Sequence, residues 1–506
     1  MAESFLGEAD FTHVPLHPAI DLANGITLTL GRDELIIKDK ELAKRNRSKS
    51  CGFFFGQSPA EIALPYYNVI WASVENDLLL QVATGSKAEL RLKQLQYSLG
   101  EVSIETAQIW VAALLDHAYG QAQRQRRAKV LVNPHAGPGD AIRIWEDEVK
   151  PLFEAARMTL DVVRTSHGGQ ATEICESLDI DAYDVVVACS GDGLAYEVFN
   201  GLGKRADART ALQKLAVAHI PCGSGNAMSC NLNGSHYPGP SALAVIKGIR
   251  TPVDLMSITQ GPRRILSFLS QSVGIIAESD LGTESLRWLG AARFQVGFAT
   301  RIFKKKMYPC DIAFKVEIED KTQIESHYKR IRDGEEQSSK KGGDEYTTEA
   351  SLTSGSQPDA GEGLPTLRFG TVNDKVPEDW QQISYHKMGN FYCGNMALMA
   401  PEANFFPAAC INDGLVDVLM HDGDLSFLQY GSLMLSLGKA AFFHNPLISY
   451  KKVAAYRFTP RNQTDGYISI DGERIPFEPF QVEVHQGLGT VLSKRGRYEA
   501  SGPSDW

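Results

Sequence analysis

Paired cysteines are the first feature that this sequence lacks. Its eight cysteines are scattered without any C-x-x-C spacing, which argues against a zinc site or a disulfide framework. No uninterrupted apolar run is long enough to span a bilayer. The first residues, MAESFLGEAD, are acidic, without a secretory signal pattern or a glycine at position 2. We therefore expect a cytoplasmic protein with peripheral association to intracellular or plasma membranes.

A positive charge balance is also lacking. Asp and Glu number 61 against 51 Lys and Arg, so the net charge is −10 and a general nucleic-acid binder is disfavoured. Local basic runs occur at 124–129 (RQRRAK) and 301–306 (RIFKKK). Each run is typical of a solvated face or linker, with contact to anionic lipid as the alternative.

Two nucleotide-binding fingerprints are absent as well. There is no G-x-x-x-x-G-K-[ST] loop, and no G-x-G-x-x-G follows the first strand of the α/β pattern described below. A P-loop ATPase and an ordinary dinucleotide oxidoreductase are therefore both disfavoured.

The length of 506 residues exceeds one ordinary core and predicts about three domains. Short alternating segments and a helix over 106–122 predict a β-rich module, regulatory in type, whose shape is compatible with a pleckstrin-like fold. An α/β pattern and then a strand-rich pattern follow. The predicted divisions are a β-rich module at 1–125, an α/β domain at 126–252, a strand-rich domain at 253–494 and a tail at 495–506.

Strand, glycine-containing loop and helix alternate through the α/β region. This alternation predicts βαβ units and a parallel sheet, with every loop at the same edge because each follows a strand end. The predicted strands are 130–132, 160–164, 185–188 and 215–220.

The strand-rich region reads as largely antiparallel and is interrupted twice. Residues 332–365 have almost no large apolar side chains and predict a disordered insertion, either regulatory or merely tolerated. Residues 425–443 (LSFLQYGSLMLSLGKAAFF) form an unusually apolar helical segment, for which an ordinary core helix is the simplest interpretation.

Asp192 stands between two glycines, directly after the apolar strand that begins at Val185. Such a position lies at the carboxyl end of a strand and near a helix N-terminus, where open α/β sheets bind anionic ligands. A tight Asp-Gly turn is the alternative. Together with the other glycine loops, which let backbone N–H groups approach phosphates, the aspartate suggests phosphoryl transfer from ATP.

Three segments in this order, VNPHAGPGDA, SGDGLAYEVFNGL and PCGSGNAMS, closely resemble the catalytic core of sphingosine (long-chain base) kinases of the diacylglycerol kinase superfamily. The resemblance extends from about residue 129 to 494. It implies an α/β nucleotide-binding domain, an antiparallel β-sandwich lipid-binding domain and an active site in the cleft between them. The implied activity is ATP-dependent phosphorylation of the primary hydroxyl of sphingosine, dihydrosphingosine or phytosphingosine to the 1-phosphate.

The resemblance also implies roles for individual residues. Asp192 matches the catalytic aspartate, and Ser190, Gly191 and Gly193 adjoin the substrate. The implied nucleotide contacts are Asn133, Pro134, His135, Thr165, Ser166, His167, Gly168, Gly169, Glu197, Gly223, Ser224, Gly225, Arg287, Arg293, Asp471, Gly472 and Glu473. ATP phosphates imply Mg²⁺, which Asp192, Glu197 and Asp471 are expected to help hold, directly or through water.

Asp280 is the residue implied to contact the substrate head group. Asp280, Glu284 and Arg287 have helical spacing, which is equally typical of a surface ion-pair ladder. A carboxylate here suits a sphingoid base, because its amine is protonated whereas ceramide and diacylglycerol are uncharged. Ser190, where diacylglycerol-type members usually have glycine, favours the same substrate.

Leu433 and Met434 of the apolar segment are the candidates to contact the alkyl chain. The rival functions are a ceramide or diacylglycerol kinase and a catalytically silent lipid-binding scaffold. The expected partners are a sphingoid base and peripheral membrane lipids, with no nucleic acid, and a homodimer is left open.

Overall fold

The computed structural model describes most of the chain. The described residues are 18–39, 61–282, 306–340, 361–463, 465–500 and 502, without the side chains of 335–340 and 434. They fall into two compact units, one of residues 1–125 with 151–157 and one of residues 126–150 with 158–506. Among these residues, no helix combines the length and apolar character required to cross a bilayer.

The first unit contains two antiparallel sheets and a helix. Leu28, Leu35 and Ile37 are buried while their neighbours along each strand are more exposed, the period-two pattern of a half-buried sheet. The strands of the first sheet are β1 (Ala19–Leu22), β2 (Ile26–Leu30), β3 (Glu34–Lys38) and β4 (Glu61–Pro65). Those of the second are β5 (Val69–Val74), β6 (Asp77–Gly85) and β7 (Leu90–Ser98).

Helix α1 (Ile104–Tyr119) completes this unit. It begins at Ser103, whose side chain accepts a hydrogen bond from the backbone N–H of Thr106. Near its end, the Tyr119 hydroxyl donates to the carbonyl of Ile70 in β5 at 2.7 Å. The β-rich character predicted from the sequence is therefore confirmed, with the helix beginning two residues earlier than the predicted 106.

A parallel sheet opens the second unit. Its strands lie in the order β9, β8, β10, β11, and every side chain of β10 and β11 is buried, as expected for strands covered on both faces. The strands are β8 (Arg127–Val132), β9 (Thr159–Arg164), β10 (Val185–Ser190) and β11 (Ala216–Pro221). The helices along this stretch of chain are α2 (Ala141–Ile144), α3 (Lys150–Ala155), α4 (Gln170–Glu176), α5 (Asp192–Gly203), α6 (Ala208–Lys214), α7 (Ala227–Asn233) and α8 (Pro238–Ile246), with a π-helical turn at Trp145–Val149.

The remaining strands are mainly antiparallel. They are β12 (Ile249–Gln260), β13 (Arg263–Ser267), β14 (Ser270–Gly274), β15 (Cys310–Ile318), β16 (Gln381–Tyr385), β17 (Met388–Gly394), β18 (Leu398–Ala400), β19 (Ala403–Asn404), β20 (Val416–Asp422), β21 (Ser449–Pro460), β22 (Ile468–Ile470), β23 (Glu473–Ile475) and β24 (Phe480–Ser493). The helices among them are α9 (Ile275–Leu281), α10 (Lys321–Lys340), α11 (Phe427–Ser436) and α12 (Ala440–Phe443).

Strand β24 joins the parallel and antiparallel halves. It pairs with β11 in parallel, at Val217 and Val491, and with β12 and β21 in antiparallel fashion. The described strands of both halves, apart from β18 and β19, which pair only with each other, therefore form one continuous sheet of 15 strands. The boundary predicted at 252/253 falls inside β12, and the chain returns to the parallel half through its last strand. The mixed α/β and antiparallel character is confirmed.

The prediction that residues 332–365 form a disordered insertion is wrong at both ends of this range. Helix α10 continues to Lys340, and Tyr328 anchors it by accepting hydrogen bonds from Arg332 and from the backbone N–H of Gly502. At the far end, the carbonyl of Pro365 accepts from Arg264 at 2.7 Å. The contacts of Tyr328 with Gly502 and of Pro365 with Arg264 join residues distant in sequence, so composition did not reveal them. Residues 341–360 lie outside the described residues.

The apolar segment 425–443 forms two helices rather than one. Helix α11 ends at Ser436 and α12 begins at Ala440. Gly438, with φ of +80°, lies in the break, in a conformation that favours glycine.

Candidate active site

Asp192 is held in place by the N-terminus of another helix. It begins α5 immediately after β10 and Gly191. Its two carboxylate oxygens accept hydrogen bonds from the backbone N–H groups of Ala227 and Met228, both at 2.9 Å. These donors are the first residues of α7, where N–H groups lack partners within the helix. The orientation of the Asp192 carboxylate is thus set by the loop that follows β11.

Glycines allow the three loops at this edge to touch. A Cβ atom on Gly223 would lie 2.4 Å from Cα of Gly191, and one on Gly191 would lie 2.9 Å from the carbonyl oxygen of Gly225. A Cβ atom on Gly137 would lie 2.7 Å from the carbonyl oxygen of Cys222. We call these loops, residues 133–139, 191–193 and 222–226, the glycine ledge. Only glycine fits at these contacts, so the ledge presents backbone rather than side chains.

Asn133 connects the first loop to the strand of Asp192. Its backbone N–H donates to the carbonyl of Cys189 at 3.1 Å, and its side-chain amide donates to the hydroxyl of Ser190 at 3.4 Å. Its side-chain oxygen accepts from the backbone N–H of His135 at 2.9 Å. Asn133 therefore shapes the loop, and His135 lies at its exposed surface.

Glu197 lies beside the loop that follows β9. Its carboxylate accepts from the backbone N–H of Ala171 at 3.1 Å, in the first turn of α4. Its backbone carbonyl accepts from the hydroxyl of Thr172 at 3.1 Å. Glu197 thereby joins α5 to the start of α4, next to the exposed residues Ser166, His167 and Gly168.

Asp280 meets the turn between β22 and β23. Its carboxylate accepts from the hydroxyl of Ser469 at 3.3 Å, and a Cβ atom on Gly472 would lie 4.0 Å from the same carboxylate. On the other side of this turn, the Glu473 carboxylate would lie 3.3 Å from a Cβ atom on Gly193. The turn 471–473 therefore brings Asp280 close to the turn of Asp192. The structure thus brings the turn 191–193, Asp280 and the turn 471–473 close together.

Asp471 has a different environment from its neighbours in this turn. It is 3% exposed, and its carboxylate accepts four hydrogen bonds, from the Ser267 hydroxyl at 2.6 Å and from the backbone N–H groups of Phe268, Leu269 and Ser270 at 2.8 to 3.0 Å. Burial raises the pKa of Asp471 to about 6, although these hydrogen bonds oppose the increase. Its side chain holds the turn between β13 and β14.

The expected metal ligands are not brought together as a set. Asp192, Glu197 and Asp471 each accept hydrogen bonds from different backbone segments. In the part of the chain that the structure describes, no three His, Cys, Asp or Glu side chains are placed to hold a metal ion. The described carboxylates do not form a cation site by themselves.

Tyr392 is a residue of the site that sequence patterns did not reveal. It is buried in β17, and burial raises the pKa of its hydroxyl above the ordinary value. The negative charges of Asp280, Asp192 and Asp471 add to this increase. Tyr392 pairs with Ser272 of β14, and Ser272 pairs on its other side with Ser469, which donates to Asp280. The only sequence signal was a tyrosine in an apolar strand, and such residues are common in cores.

His219, in β11, supports the end of the neighbouring strand β10. Its Nε2 lies 3.0 Å from the carbonyl oxygen of Ser190, and a carbonyl only accepts, so this nitrogen carries the proton. Burial lowers the pKa of His219, while the nearby Asp192 opposes that effect. The histidine thus helps to fix the backbone immediately before Gly191.

An apolar cluster extends from Tyr392 away from the carboxylates. The Tyr392 ring lies 4.9 Å from that of Phe406 and 5.3 Å from that of Phe405, between ring centroids. Phe405 in turn lies 6.2 Å from Phe442 of α12, and Leu433 of α11 is buried in the same cluster. Arg287 and Arg293 lie outside the described residues, as does the side chain of Met434.

Two family models match this chain. The diacylglycerol kinase catalytic domain matches residues 127–258, and a domain of unknown function (DUF7493) matches residues 19–120. Among solved structures, a diacylglycerol kinase from Bacillus anthracis str. Sterne matches with 18% identity and a TM-score of 0.49, over 73% of this chain and 98% of that chain.

Curated relatives extend over more of the chain. Sphingoid long chain base kinase 4 of Schizosaccharomyces pombe is 33% identical over 446 residues, 88% of this chain and 90% of the relative. Sphingoid long chain base kinase 5 of Saccharomyces cerevisiae is 34% identical over 430 residues, 77% of this chain, and the match spans 62% of that relative's length. Sphingosine kinase 1 of Homo sapiens is 26% identical, over 74% of this chain and 92% of the relative.

Proposed function

The chain belongs to the family of sphingoid long-chain base kinases, and we propose that it transfers the γ-phosphate of ATP to the primary hydroxyl of a sphingoid base. The product is the 1-phosphate, and the candidate substrates are sphingosine, dihydrosphingosine and phytosphingosine. The observation that carries the proposal is the geometry of the turn 191–193. Asp192 in this turn accepts hydrogen bonds from Ala227 and Met228, and the turn packs against the other loops of the glycine ledge. The turn 471–473 contacts both this turn and Asp280.

Asp192 orients the acceptor hydroxyl in this proposal. A carboxylate has about four acceptor positions, so the two bonds from Ala227 and Met228 leave room for a hydroxyl donor. The hydroxyl oxygen bonds to the γ-phosphorus as the bond from that phosphorus to the β–γ bridging oxygen breaks. ADP leaves with that electron pair, and the hydroxyl proton passes to Asp192 late in the step.

The glycine ledge receives the nucleotide in this proposal. Its backbone N–H groups suit phosphate oxygens, and the partly exposed loop 165–169 adjoins it. The proposed nucleotide contacts are Asn133, Pro134, His135, Thr165, Ser166, His167, Gly168, Gly169, Glu197, Gly223, Ser224, Gly225, Arg287, Arg293, Gly472 and Glu473. Asp471, whose carboxylate is occupied by the turn 267–270, is proposed to hold this region in place rather than to contact the nucleotide.

Mg²⁺ remains a proposed companion of ATP. No set of side chains in the described part of the chain forms a cation site unaided. The ion is therefore proposed to arrive with the triphosphate, whose oxygens are its preferred ligands. Asp192 is the carboxylate of the ledge with acceptor positions to spare, and Asp471 is not retained as a ligand.

Asp280 provides the preference for a sphingoid base. It lies across the turn 471–473 from Asp192, so a protonated amine beside the reacting hydroxyl would meet two carboxylates. Ceramide and diacylglycerol lack this charge. Residues 253–494 are proposed as the lipid-binding domain, a β-sandwich in the family, beside the nucleotide-binding residues 126–252. The alkyl chain would follow the apolar cluster from Tyr392 to Leu433.

Labelled ATP with Mg²⁺ tests the proposal against its rivals. Purified protein is incubated with sphingosine, ceramide or diacylglycerol, next to Asp192→Asn. We expect phosphate on sphingosine alone and a loss of at least about two orders of magnitude in kcat for the variant. Thermal denaturation of both proteins controls for folding, because an asparagine amide would face an N–H group of α7.

Three outcomes would contradict the assignment. Equal turnover of ceramide or diacylglycerol would favour the kinase rivals. Sphingosine binding without any phosphorylation would favour a silent scaffold. Full activity of a correctly folded Asp192→Asn protein would remove the proposed role of the aspartate.

A further inference from the structure

Helix α11 exposes large apolar side chains to solvent. Leu428 is 82% exposed and Leu435 is 80% exposed. The two residues are seven positions apart, so they lie almost directly above one another on one face of the helix. The opposite face carries Tyr430 and Leu433, which are buried. From Leu425 to Gly438 the sequence contains no charged residue.

Met307 extends the same apolar surface beyond the start of the helix. A Cβ atom on Gly423 would lie 3.1 Å from the side chain of Met307, and Met307 is 45% exposed. Gly423 also donates its backbone N–H to the carbonyl of Lys387 at 2.7 Å. We call the side chains of Met307, Leu428 and Leu435 the α11 surface.

Two lysines adjoin the α11 surface, but each already has an acidic partner. Lys306 pairs with Glu278, and Lys387 pairs with Asp424 at 2.7 Å. Ion pairs this exposed offset the positive charges only in part, and Lys439, four residues after Leu435, is exposed as well. The main property of the α11 surface is its exposed apolar area. Contiguous apolar patches of this kind are unusual on the surfaces of soluble proteins.

The buried face of α11 connects the α11 surface to the candidate active site. Leu433 and Tyr430 pack in the apolar cluster that includes Tyr392, and Tyr392 lies across β14 from Ser469, the hydrogen-bond partner of Asp280. One short helix therefore separates the proposed alkyl-chain path from the exposed leucines. A long-chain substrate resides in a membrane, so a surface at this position would meet the substrate where it leaves the bilayer.

We propose that the α11 surface docks on phospholipid membranes by inserting Leu428, Leu435 and Met307 among the lipid head groups. This inference rests on the proposed function, which identifies the substrate as a lipid, and it adds the surface by which the protein contacts the membrane. An uncharged apolar helix face suits the interfacial region of a bilayer. Binding therefore requires the insertion of these apolar side chains into the lipid.

Vesicle sedimentation of the full chain tests the docking. The probes are vesicles of phosphatidylcholine alone and of phosphatidylcholine with about one fifth phosphatidylserine. Replacing both leucines (Leu428→Gln with Leu435→Gln) is expected to weaken binding to each by about tenfold or more, because two large apolar groups no longer enter the lipid. Ile109→Gln is the matched control, since Ile109 is a 51% exposed apolar residue of α1, and its binding should stay within about twofold of wild type.

Activity measurements separate the docking from the catalytic function. Phosphorylation of a short-chain sphingoid base dissolved as monomers should be the same in wild type and the double variant. Phosphorylation of sphingosine in vesicles should decrease in the double variant, in proportion to its loss of vesicle binding. It should stay unchanged in Ile109→Gln. Wild-type protein without activity on the dissolved base would contradict the proposed function, whereas an active double variant that binds vesicles normally would overturn the docking alone.

Two further results would also overturn the docking. Binding that requires phosphatidylserine and disappears in high salt would indicate attachment by basic residues instead. Self-association of wild type without lipid, lost in the double variant, would identify the α11 surface as an interface between copies of this chain. Sedimentation velocity without vesicles measures that alternative.

Discussion

Asp192 and Asp471 follow strands in the two halves of one sheet, and both carboxylates accept hydrogen bonds from backbone N–H groups. Asp192 receives its two bonds from the start of a helix and remains partly exposed. Asp471 receives four bonds from a hairpin turn and is 3% exposed. The first can still accept a hydroxyl, whereas the second is saturated. The count of acceptor positions left over, rather than the motif, separates a reactive carboxylate from a supporting one.

The surroundings of the two residues differ in the same way. The loops beside Asp192 follow parallel strands, so they meet at one edge and contact each other through glycine backbone. The turn 267–270 is held by the Asp471 carboxylate, which accepts hydrogen bonds from three backbone N–H groups of that turn. The parallel half thus brings the backbone of three loops together at one edge, whereas the antiparallel half uses three backbone N–H groups of one turn to hold a buried carboxylate.

The largest effect is expected from breaking the glycine ledge. In Gly223→Ala the new methyl group would lie 2.4 Å from Cα of Gly191, so the loops must separate and the bonds that orient Asp192 are disturbed. Misplacement of about 1 Å can cost about a hundredfold in rate, and we expect at least that loss in kcat/KM for sphingosine. Steady-state kinetics with saturating ATP provides the measurement.

A matched glycine controls for the substitution itself. At Gly334 in α10, no described atom lies within 4 Å of the position that an added methyl group would take, so Gly334→Ala should keep wild-type activity and thermal stability. If Gly223→Ala retained more than about half of the activity, the close packing of the ledge would be irrelevant to catalysis and the comparison with Asp471 would lose its basis.

The parallel half is the part of the fold that sequence patterns predict well. The predicted strand at 160–164 is observed at Thr159–Arg164, and that at 215–220 is observed at Ala216–Pro221. Each of these strands ends at a polar, glycine-containing loop, and that signal is local. The convergence of Asp192 with the loop 223–225 follows directly, because parallel strand ends share an edge.

The antiparallel half contains contacts that local patterns cannot reveal. Asp280 meets Ser469 and Gly472 because β14 pairs with β22, which aligns Ser272 with Ser469 across almost two hundred residues of sequence. No periodicity encodes such a pairing. The saturation of Asp471 depends on the same long-range geometry, which explains why its motif suggested a metal or nucleotide contact that its hydrogen bonds disfavour.

A pH titration sharpens the difference between the two aspartates. Burial raises the pKa of Asp471 to about 6 in the folded protein, above the value of about 3.9 for an unfolded chain. Between these values the folded state binds the extra proton, so this group stabilises the fold increasingly as pH falls from 7 toward 4.5. Relative to Asp471→Asn, the free energy of unfolding of wild type should rise by about 2 kcal/mol over that interval.

Denaturant unfolding at several pH values measures this linkage. Asparagine is the appropriate replacement, because position 471 has φ of +51°, a conformation that asparagine tolerates. Asp333→Asn, at an exposed position of α10, is the control and should show no such pH-dependent difference. A stability difference between wild type and Asp471→Asn that is constant with pH would mean that the buried carboxylate is not the source of the effect.

The smallest effect is expected for Asp280, the carboxylate that contacts the turn 471–473. Asp280→Asn keeps the shape and the contact with the Ser469 hydroxyl but removes the charge opposite the substrate amine. Because part of the electrostatic attraction is offset by desolvation, kcat/KM for sphingosine should fall only about tenfold, mainly through KM. The kcat/KM for a substrate without a charged amine should not fall, so the ratio of the two kcat/KM values decreases.

Ser469→Ala is the control, because it removes the hydrogen bond but not the charge of Asp280. It should change kcat/KM for either substrate by no more than about twofold. Equal losses for charged and uncharged substrates in Asp280→Asn would show that this residue supports the turn 471–473, as Asp471 supports the turn 267–270, and that head-group recognition lies elsewhere.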